Sequence, residues 1–131
     1  MQDSQRFARG LEIRREVLGN EYVDKNLAGS DEFMMTFQRI VTELAWGYAW
    51  DGDALDKKTK SMLSVGILSA LGRFEEVEIY TRGALATGAT VNEMKDVLTH
   101  VAIYCGMPTG RQAFLAAHKA LKTAGALEGK R

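Results

Sequence analysis

The sequence predicts an all-α fold with six main helices. A short helical turn follows the first of them and is counted as the second segment below. Apolar residues recur every three or four positions along most of the chain, and no run alternates as a strand does. Glycines, a proline and N-capping residues stand where the helical patterns begin and end. With 131 residues, the chain fits one domain, 1–131, and we expect its core between about residues 7 and 124.

The charge balance excludes several classes of protein. Lysine plus arginine and aspartate plus glutamate both number 17, so no excess charge attracts nucleic acid or an anionic membrane. The longest apolar run, from Met62 to Leu71, is far shorter than the ~20 residues of a membrane span. The segment from Met1 to Arg6 has no secretory signal, so we expect a cytoplasmic protein.

Residues that bind metals or form disulfides are scarce. Cys105 is the sole cysteine, which excludes an internal disulfide, a CxxC redox pair and a cysteine-based zinc site. The two histidines, His100 and His118, form no cluster in the sequence, so we expect no dedicated transition-metal site.

The first predicted helix runs from Arg6 to Leu18, and Gly19 is its expected C-terminal stop. A short helical turn is predicted from Glu21 to Leu27. The apolar stripe of the first helix includes one arginine. Its members are Phe7, Leu11, Arg14, Val17 and Leu18.

A long third helix is predicted from Asp31 to about Trp46 or Trp50, with Ser30 as its N-cap. The two tryptophans either supply buried area or line a pocket. Aromatic and aliphatic residues lie near one face of this helix. They are Phe33, Phe37, Ile40, Val41, Leu44 and Tyr48.

The fourth predicted helix runs from Lys57 to Leu71, after Asp56 as N-cap. Its many serines, glycine and alanine permit close packing, and its apolar residues favour burial, so we expect it to be the central, most buried helix.

The fifth helix lies between Gly72 and Gly88 and carries an acid and a phenol one turn apart. On one interpretation, Arg73 and Glu76 form an i,i+3 surface pair and Tyr80 covers the core with its hydroxyl in water. On the other, Glu76 and Tyr80 point into a cavity.

Ile79 on the outward face of the same helix suggests contact with another subunit. The core face is expected to contain Phe74, Val77, Thr81, Ala84 and Leu85.

The sixth helix begins at Val91, because Thr90 and Glu93 match the capping box S/T-x-x-E. His100 is either a satisfied buried histidine or a catalytic imidazole, and His118 is expected to be exposed or interfacial. The inward side chains of this helix are predicted to be Met94, Val97, Leu98, Val101 and Ala102.

The last helix is predicted to begin at Pro108 and to end near Gly125, before a frayed tail over residues 128–131. Its core stripe is expected to contain Phe114, Leu115, Ala117 and Leu121.

Five segments, taken in order, resemble the carboxymuconolactone decarboxylase family. They are residues 9–19, 46–47, 55–61, 82–85 and 101–108. The similarity extends from about Phe7 to Leu121. It implies a six-helix orthogonal bundle of the carboxymuconolactone decarboxylase and alkylhydroperoxidase superfamily, assembled as a homo-oligomeric ring, a trimer or a hexamer.

The resemblance also implies a carboxy-lyase of aromatic (protocatechuate) catabolism that needs no metal or organic cofactor. Such an enzyme removes carbon dioxide from 4-carboxymuconolactone, and negative charge then spreads into the lactone carbonyl. Arg73 is the candidate carboxylate ligand, with Trp46 and Cys105 as further substrate-binding residues. The candidate catalytic residues are Glu76, Tyr80 and His100.

The chain departs from this family at Tyr80, where the decarboxylases usually have histidine. A phenol donates a hydrogen bond but does not exchange protons at neutral pH as an imidazole does. Peroxidase chemistry is excluded, because the superfamily's CxxC would fall at Arg73 and Glu76. Two alternatives therefore accompany the decarboxylase: a paralogue catalysing isomerisation, hydrolysis or cyclisation, and a non-catalytic oligomeric binding protein.

Overall fold

A computed structural model describes residues 3–128 of the chain. Over that range the protein consists of seven α-helices and one π-helix, with no strand, which confirms the all-α prediction. The elements are α1 (Asp3–Leu18), α2 (Asn20–Ala28), α3 (Glu32–Ile40), the π-helix (Val41–Ala49), α4 (Lys57–Ala70), α5 (Phe74–Ala86), α6 (Val91–Cys105) and α7 (Met107–Thr123).

The extra α-helix is α2, which the sequence indicated only as a short turn. Gly19 has φ 89°, a conformation that favours glycine, and so ends α1 and allows α2 to begin in a new direction. The helical elements form two compact units, the first ending at Lys57 and the second beginning at Lys58. Of the predicted tail, residues 129–131 lie outside the described residues. None of the described helices is long and apolar enough to cross a membrane.

In the first unit, α1 packs against the π-helix with the two backbones in direct contact. A Cβ atom on Gly10 would overlap the carbonyl oxygen of Thr42 and lie 2.8 Å from the amide nitrogen of Gly47. A Cβ atom on Gly47 would likewise overlap the carbonyl oxygen of Arg6. Only glycine permits this approach, so the two residues fix where the helices cross.

The buried face of α1 differs from the predicted stripe. Gly10, Ile13, Arg14 and Val17 are buried, whereas Phe7, Leu11 and Leu18 are only half-buried. The inward position of Arg14 is confirmed, and its Nη1 donates to Gln38 Oε1 at 2.8 Å. The close approach at Gly10 turns that glycine and the positions one turn away, Ile13 and Arg14, toward the π-helix.

The long third helix was predicted correctly in extent, but its second half is not an α-helix. At Val41 the chain changes from α-helix to π-helix, and Asp31, not Ser30, is the N-cap, accepting from the amide of Met34 at 2.9 Å. The face toward α1 carries the buried residues Gln38, Thr42, Trp46 and Gly47. The apolar face noted in the sequence is therefore exposed in the single chain. Its exposed members are Phe33 (82%), Phe37 (53%), Ile40 (50%), Leu44 (53%) and Tyr48 (69%).

In the second unit, α5 and α6 each pack mainly against α7. The core faces predicted for α5 and α6 are confirmed by the burial of Val77, Thr81 and Ala84 on α5 and of Met94, Leu98 and Val101 on α6. Helix α4 is not the most buried helix. Only Ser61, Val65 and Ser69 are buried, at intervals of four, while Leu63, Ile67 and Leu71 on the other side are exposed.

Small residues, more than large ones, bring α7 into the core. A Cβ on Gly110 would lie 2.5 Å from the Cβ of Ala102, so α6 and α7 meet closely at this point. Ala117 and Leu121 are buried as predicted, but Phe114 and Leu115 are exposed. The buried face of α7 consists of Gly110, Ala113, Ala117, Ala120 and Leu121.

The predicted capping box of α6 is present with both of its hydrogen bonds. Glu93 N donates to Thr90 Oγ1 at 3.0 Å, and Thr90 N donates to Glu93 Oε1 at 2.9 Å. Lys58 Nζ also lies 3.0 Å from Glu93 Oε2. The backbone hydrogen bond from Thr90, followed by the bond from Lys58, lowers the pKa of Glu93.

Replacing Glu93 with glutamine is expected to reduce stability at pH 7 and to have less effect in acid. Because the folded-state pKa of Glu93 is below its unfolded value of about 4.3, the stabilisation is present above that pH and is lost as pH falls through the folded pKa. Urea unfolding at pH 7 and at about pH 3.5 measures this. Glu75→Gln, at an exposed position on α5, is the control. An equal difference for Glu93→Gln at both pH values would contradict this assignment.

Candidate active site

The first part of α5 presents three of the candidate site residues. Arg73 is the exposed N-cap of the helix, and Glu76 is exposed in its first turn. Tyr80 follows one turn later, half-buried and packed against the hydrophobic core of the second unit. Residues four apart share a helix face, so Glu76 and Tyr80 occupy adjacent positions on one side of α5.

The surface pair considered for Arg73 and Glu76 is not formed. Neither side chain has a hydrogen bond or ion pair with any residue in the range 3–128. Both groups are exposed, so the guanidinium and the carboxylate are available to a bound molecule. The guanidinium has the geometry to bind a carboxylate through two hydrogen bonds.

A second group of candidate residues lies at the C-terminal end of α6. The ring of His100 contacts that of Tyr104, with centroids 4.8 Å apart and planes inclined by 37°. His100 is exposed, so the interpretation as a buried histidine was wrong. Tyr104 is 78% exposed, and Cys105, the last residue of α6, is exposed as well. The i,i+4 spacing brings His100 and Tyr104 together.

Glu76 and His100 are both exposed in the single chain. They are on different helices, α5 and α6, each of which packs mainly on α7. One cavity lies between α6 and α7, and another borders Arg6 and Tyr48 in the first unit. Glu76, Tyr80 and His100 line neither of these two cavities, and a cavity beside Glu76 stays a prediction.

Trp46 lies in the interior of the first unit. Its side chain is 1% exposed and stacks on Trp50, with ring centroids 4.7 Å apart and planes inclined by 27°. This placement agrees with the interpretation that the tryptophans supply buried area.

Comparison with known proteins decides the family. The model of the carboxymuconolactone decarboxylase family matches residues 36–119, more than half of the chain. The chain belongs to the carboxymuconolactone decarboxylase family. The matched segment contains all six candidate site residues, from Trp46 to Cys105.

Two relatives of this family member are similar over most of their length. The 4-carboxymuconolactone decarboxylase of Acinetobacter baylyi is 34% identical over 125 residues, 95% of this chain and 93% of the relative. The nitrosuccinic acid decarboxylase of Metarhizium robertsii is 35% identical over 115 residues, 88% of this chain and 80% of the relative. A 4-carboxymuconolactone decarboxylase sequence of Pseudomonas putida is 38% identical over 47 residues, 36% of this chain and 98% of the relative.

Proposed function

We propose that this protein is a decarboxylase, a carbon–carbon lyase acting on a small carboxylated lactone or a related acid. The observation that carries the proposal is its similarity, over 95% and 88% of its length, to two proteins named as decarboxylases. The compounds in those names share a chemical feature. A lactone and a nitro group are both electron-withdrawing, so each can receive the electron pair that remains when a carboxylate leaves as carbon dioxide.

The residues of α5 and α6 supply the groups that this reaction needs. The carbon–carbon bond to the carboxylate breaks, carbon dioxide leaves, and its electron pair delocalises into the carbonyl or nitro group before a proton adds to carbon. Arg73 binds a carboxylate that the substrate retains, and the hydroxyl of Tyr80 donates to the oxygen on which charge develops. His100 returns the proton to carbon, and Glu76 orients the donor.

Tyr80 suits the role of a hydrogen-bond donor because its ring is packed against the hydrophobic core of the second unit. Glu76, in contrast, is exposed. A donor held in place by packing needs little reorganisation when charge develops, which is how such groups lower activation barriers. A phenol does not transfer a proton readily at neutral pH, so the proton-transfer role falls to the imidazole of His100. Cys105, which is exposed, remains a candidate substrate-binding residue, whereas Trp46 is enclosed in the first unit at 1% exposure.

The proposed chemistry also requires an assembly of several copies. A substrate bound beside exposed Glu76 and His100 would be in water, where a hydrogen bond stabilises developing charge far less than in a dry site. We therefore propose a homo-oligomer, a trimer or hexamer, of single-domain orthogonal bundles, in which a second copy covers the site. The exposed stripe from Phe33 to Tyr48 is an apolar surface of the kind that subunit contacts bury.

Introducing a charge into this stripe is expected to dissociate the oligomer. Phe37, exposed in the single chain, becomes buried in the proposed contact, and a buried unpaired lysine at this position is strongly unfavourable. Sedimentation velocity of Phe37→Lys should therefore show smaller species than the unmodified protein. Arg39→Glu, an exposed position on another side of α3, is the control and should leave the size unchanged. A 14.5 kDa monomer for the unmodified protein would refute the assembly.

The decisive experiment follows carbon dioxide release from two substrates, enzymatically generated 4-carboxymuconolactone and nitrosuccinic acid. We expect release from at least one of them, and slower release in Glu76→Gln, because the carboxylate that orients the proton donor is lost. Circular dichroism establishes that Glu76→Gln is folded, which its exposed position predicts. Failure of the unmodified protein to release carbon dioxide from either acid would reject the decarboxylase proposal.

A further inference from the structure

A separate cavity lies between α6 and α7 in the second unit. Its volume is about 150 Å³. Four of the residues around it, Met94, Leu98, Ala117 and Leu121, are buried and apolar, and they form its interior. The other lining residues are Val91, Lys95, Phe114, His118 and Leu127.

Two nitrogen-bearing side chains border this apolar cavity at the protein surface. Lys95 and His118 both line it, and both are exposed. Neither side chain has a hydrogen bond or ion pair with a residue in the part of the chain that the structure describes. Their neighbour Lys119, in contrast, has its Nζ 3.6 Å from Glu78 Oε1. An ammonium and an imidazole thus lie at the mouth without a carboxylate partner.

We propose that this cavity binds a small aromatic monocarboxylate, with its ring inside and its carboxylate at the mouth. An apolar cavity of about 150 Å³ lined by aliphatic and aromatic side chains is large enough for benzene. The sulfur of Met94 and the ring of Phe114 both favour contact with an aromatic ring over an aliphatic one. The ammonium of Lys95 attracts the carboxylate, and an imidazole N–H of His118 can donate to it.

This site is distinct from the proposed active site and does not rest on the proposed function. At 100° per residue, Leu98 and His100 point about 200° apart around α6, so the cavity and the imidazole are on opposite sides of the helix. Glu76, Tyr80 and Arg73 do not line the cavity. Binding here can therefore be measured in a protein that has no decarboxylase activity.

The test is a titration of full-length protein with ¹³C-labelled methionine methyl groups, followed by NMR. Benzoate is the probe, and benzyl alcohol is its neutral counterpart with the same ring. We expect benzoate to shift the Met94 methyl and to leave that of Met107, which is 64% exposed and does not line the cavity, unchanged. Benzyl alcohol should bind more weakly.

Charge variants test the carboxylate contact without disturbing the core. Lys95→Gln should weaken benzoate binding about two- to fivefold, the usual range for one exposed charged contact, and should leave benzyl alcohol binding unchanged. His118→Gln should act in the same direction. The matched control is Lys119→Gln, which removes one positive charge from an exposed position next to His118.

Two results would overturn the proposal. An unshifted Met94 methyl at about 10 mM benzoate, a concentration that detects even millimolar affinity, would show that the cavity does not take the ring. Equal affinity for benzoate and benzyl alcohol, unaffected by Lys95→Gln, would show that the mouth does not recognise a carboxylate.

Discussion

Replacing Gly10 with alanine is expected to lower the free energy of unfolding by about 2–3 kcal/mol, the upper part of the range for overpacking. The added Cβ would overlap the carbonyl oxygen of Thr42 and approach the amide of Gly47, both of them backbone atoms. A flexible side chain can move away, but here α1 and the π-helix must separate, and contacts along their length are lost. Both tryptophans, Trp46 and Trp50, are in the first unit, so tryptophan fluorescence during urea unfolding reports this change.

The matched control for that substitution is Gly66→Ala in the interior of α4. A Cβ on Gly66 meets no atom within 4 Å, so the same chemical change is expected to raise stability by about 0.5–1 kcal/mol through helix propensity. Circular dichroism follows this variant, because its helix is in the other unit. A Gly10→Ala protein as stable as the unmodified one would show that the two helices do not approach as closely as described.

Replacing Tyr80 with phenylalanine is expected to reduce kcat for decarboxylation by about 10²–10³-fold, the usual effect of removing one donor to a developing oxyanion. The aromatic ring, which packs against the core of the second unit, is retained, so the fold should be preserved. Because this donor acts mainly in the transition state, KM should change much less than kcat. Steady-state kinetics of carbon dioxide release give both values.

Tyr80→His separates the hydrogen-bond role from a proton-transfer role. An imidazole can donate to the same oxygen, so this variant should keep more activity than Tyr80→Phe, and its rate should depend on pH near neutrality. Unchanged kcat in Tyr80→Phe would remove this residue from the mechanism. Equal, strongly reduced activity in both variants would instead assign Tyr80 a role in shaping the site.

Local signals in the sequence predicted the helix ends well. The capping box at Thr90 and Glu93 is present, and Gly19, Gly72 and Gly88 all have positive φ where helices were expected to stop. These predictions succeeded because capping and left-handed conformations involve residues only a few positions apart. The change to a π-helix at Val41 had no comparable signal.

The orientation of helices was less predictable, as the segment from Phe33 to Tyr48 illustrates. Its large apolar residues have the period of a core face, yet the side that packs on α1 carries Gln38, Thr42 and Gly47. Periodicity shows that a helix has an apolar side, but it does not reveal whether that side meets the same chain or another copy.

The candidate site was predictable only where it depends on spacing within one helix. The neighbouring positions of Glu76 and Tyr80 follow from i,i+4 spacing, as does the contact of His100 with Tyr104. The exposure of Glu76 and His100 does not, because exposure depends on which helices pack beside α5 and α6.

The sequence by itself determined the all-α class, most helix ends and the family, and it supplied the candidate catalytic residues. Each of these depends on residue identity or on spacings within a few turns. The tertiary structure alone decided the contact of Gly10 with Thr42, the hydrogen bond from Arg14 to Gln38, and the cavity that Lys95 and His118 border. Those features join residues on different helices, and their distances follow from packing that no local pattern in the chain specifies.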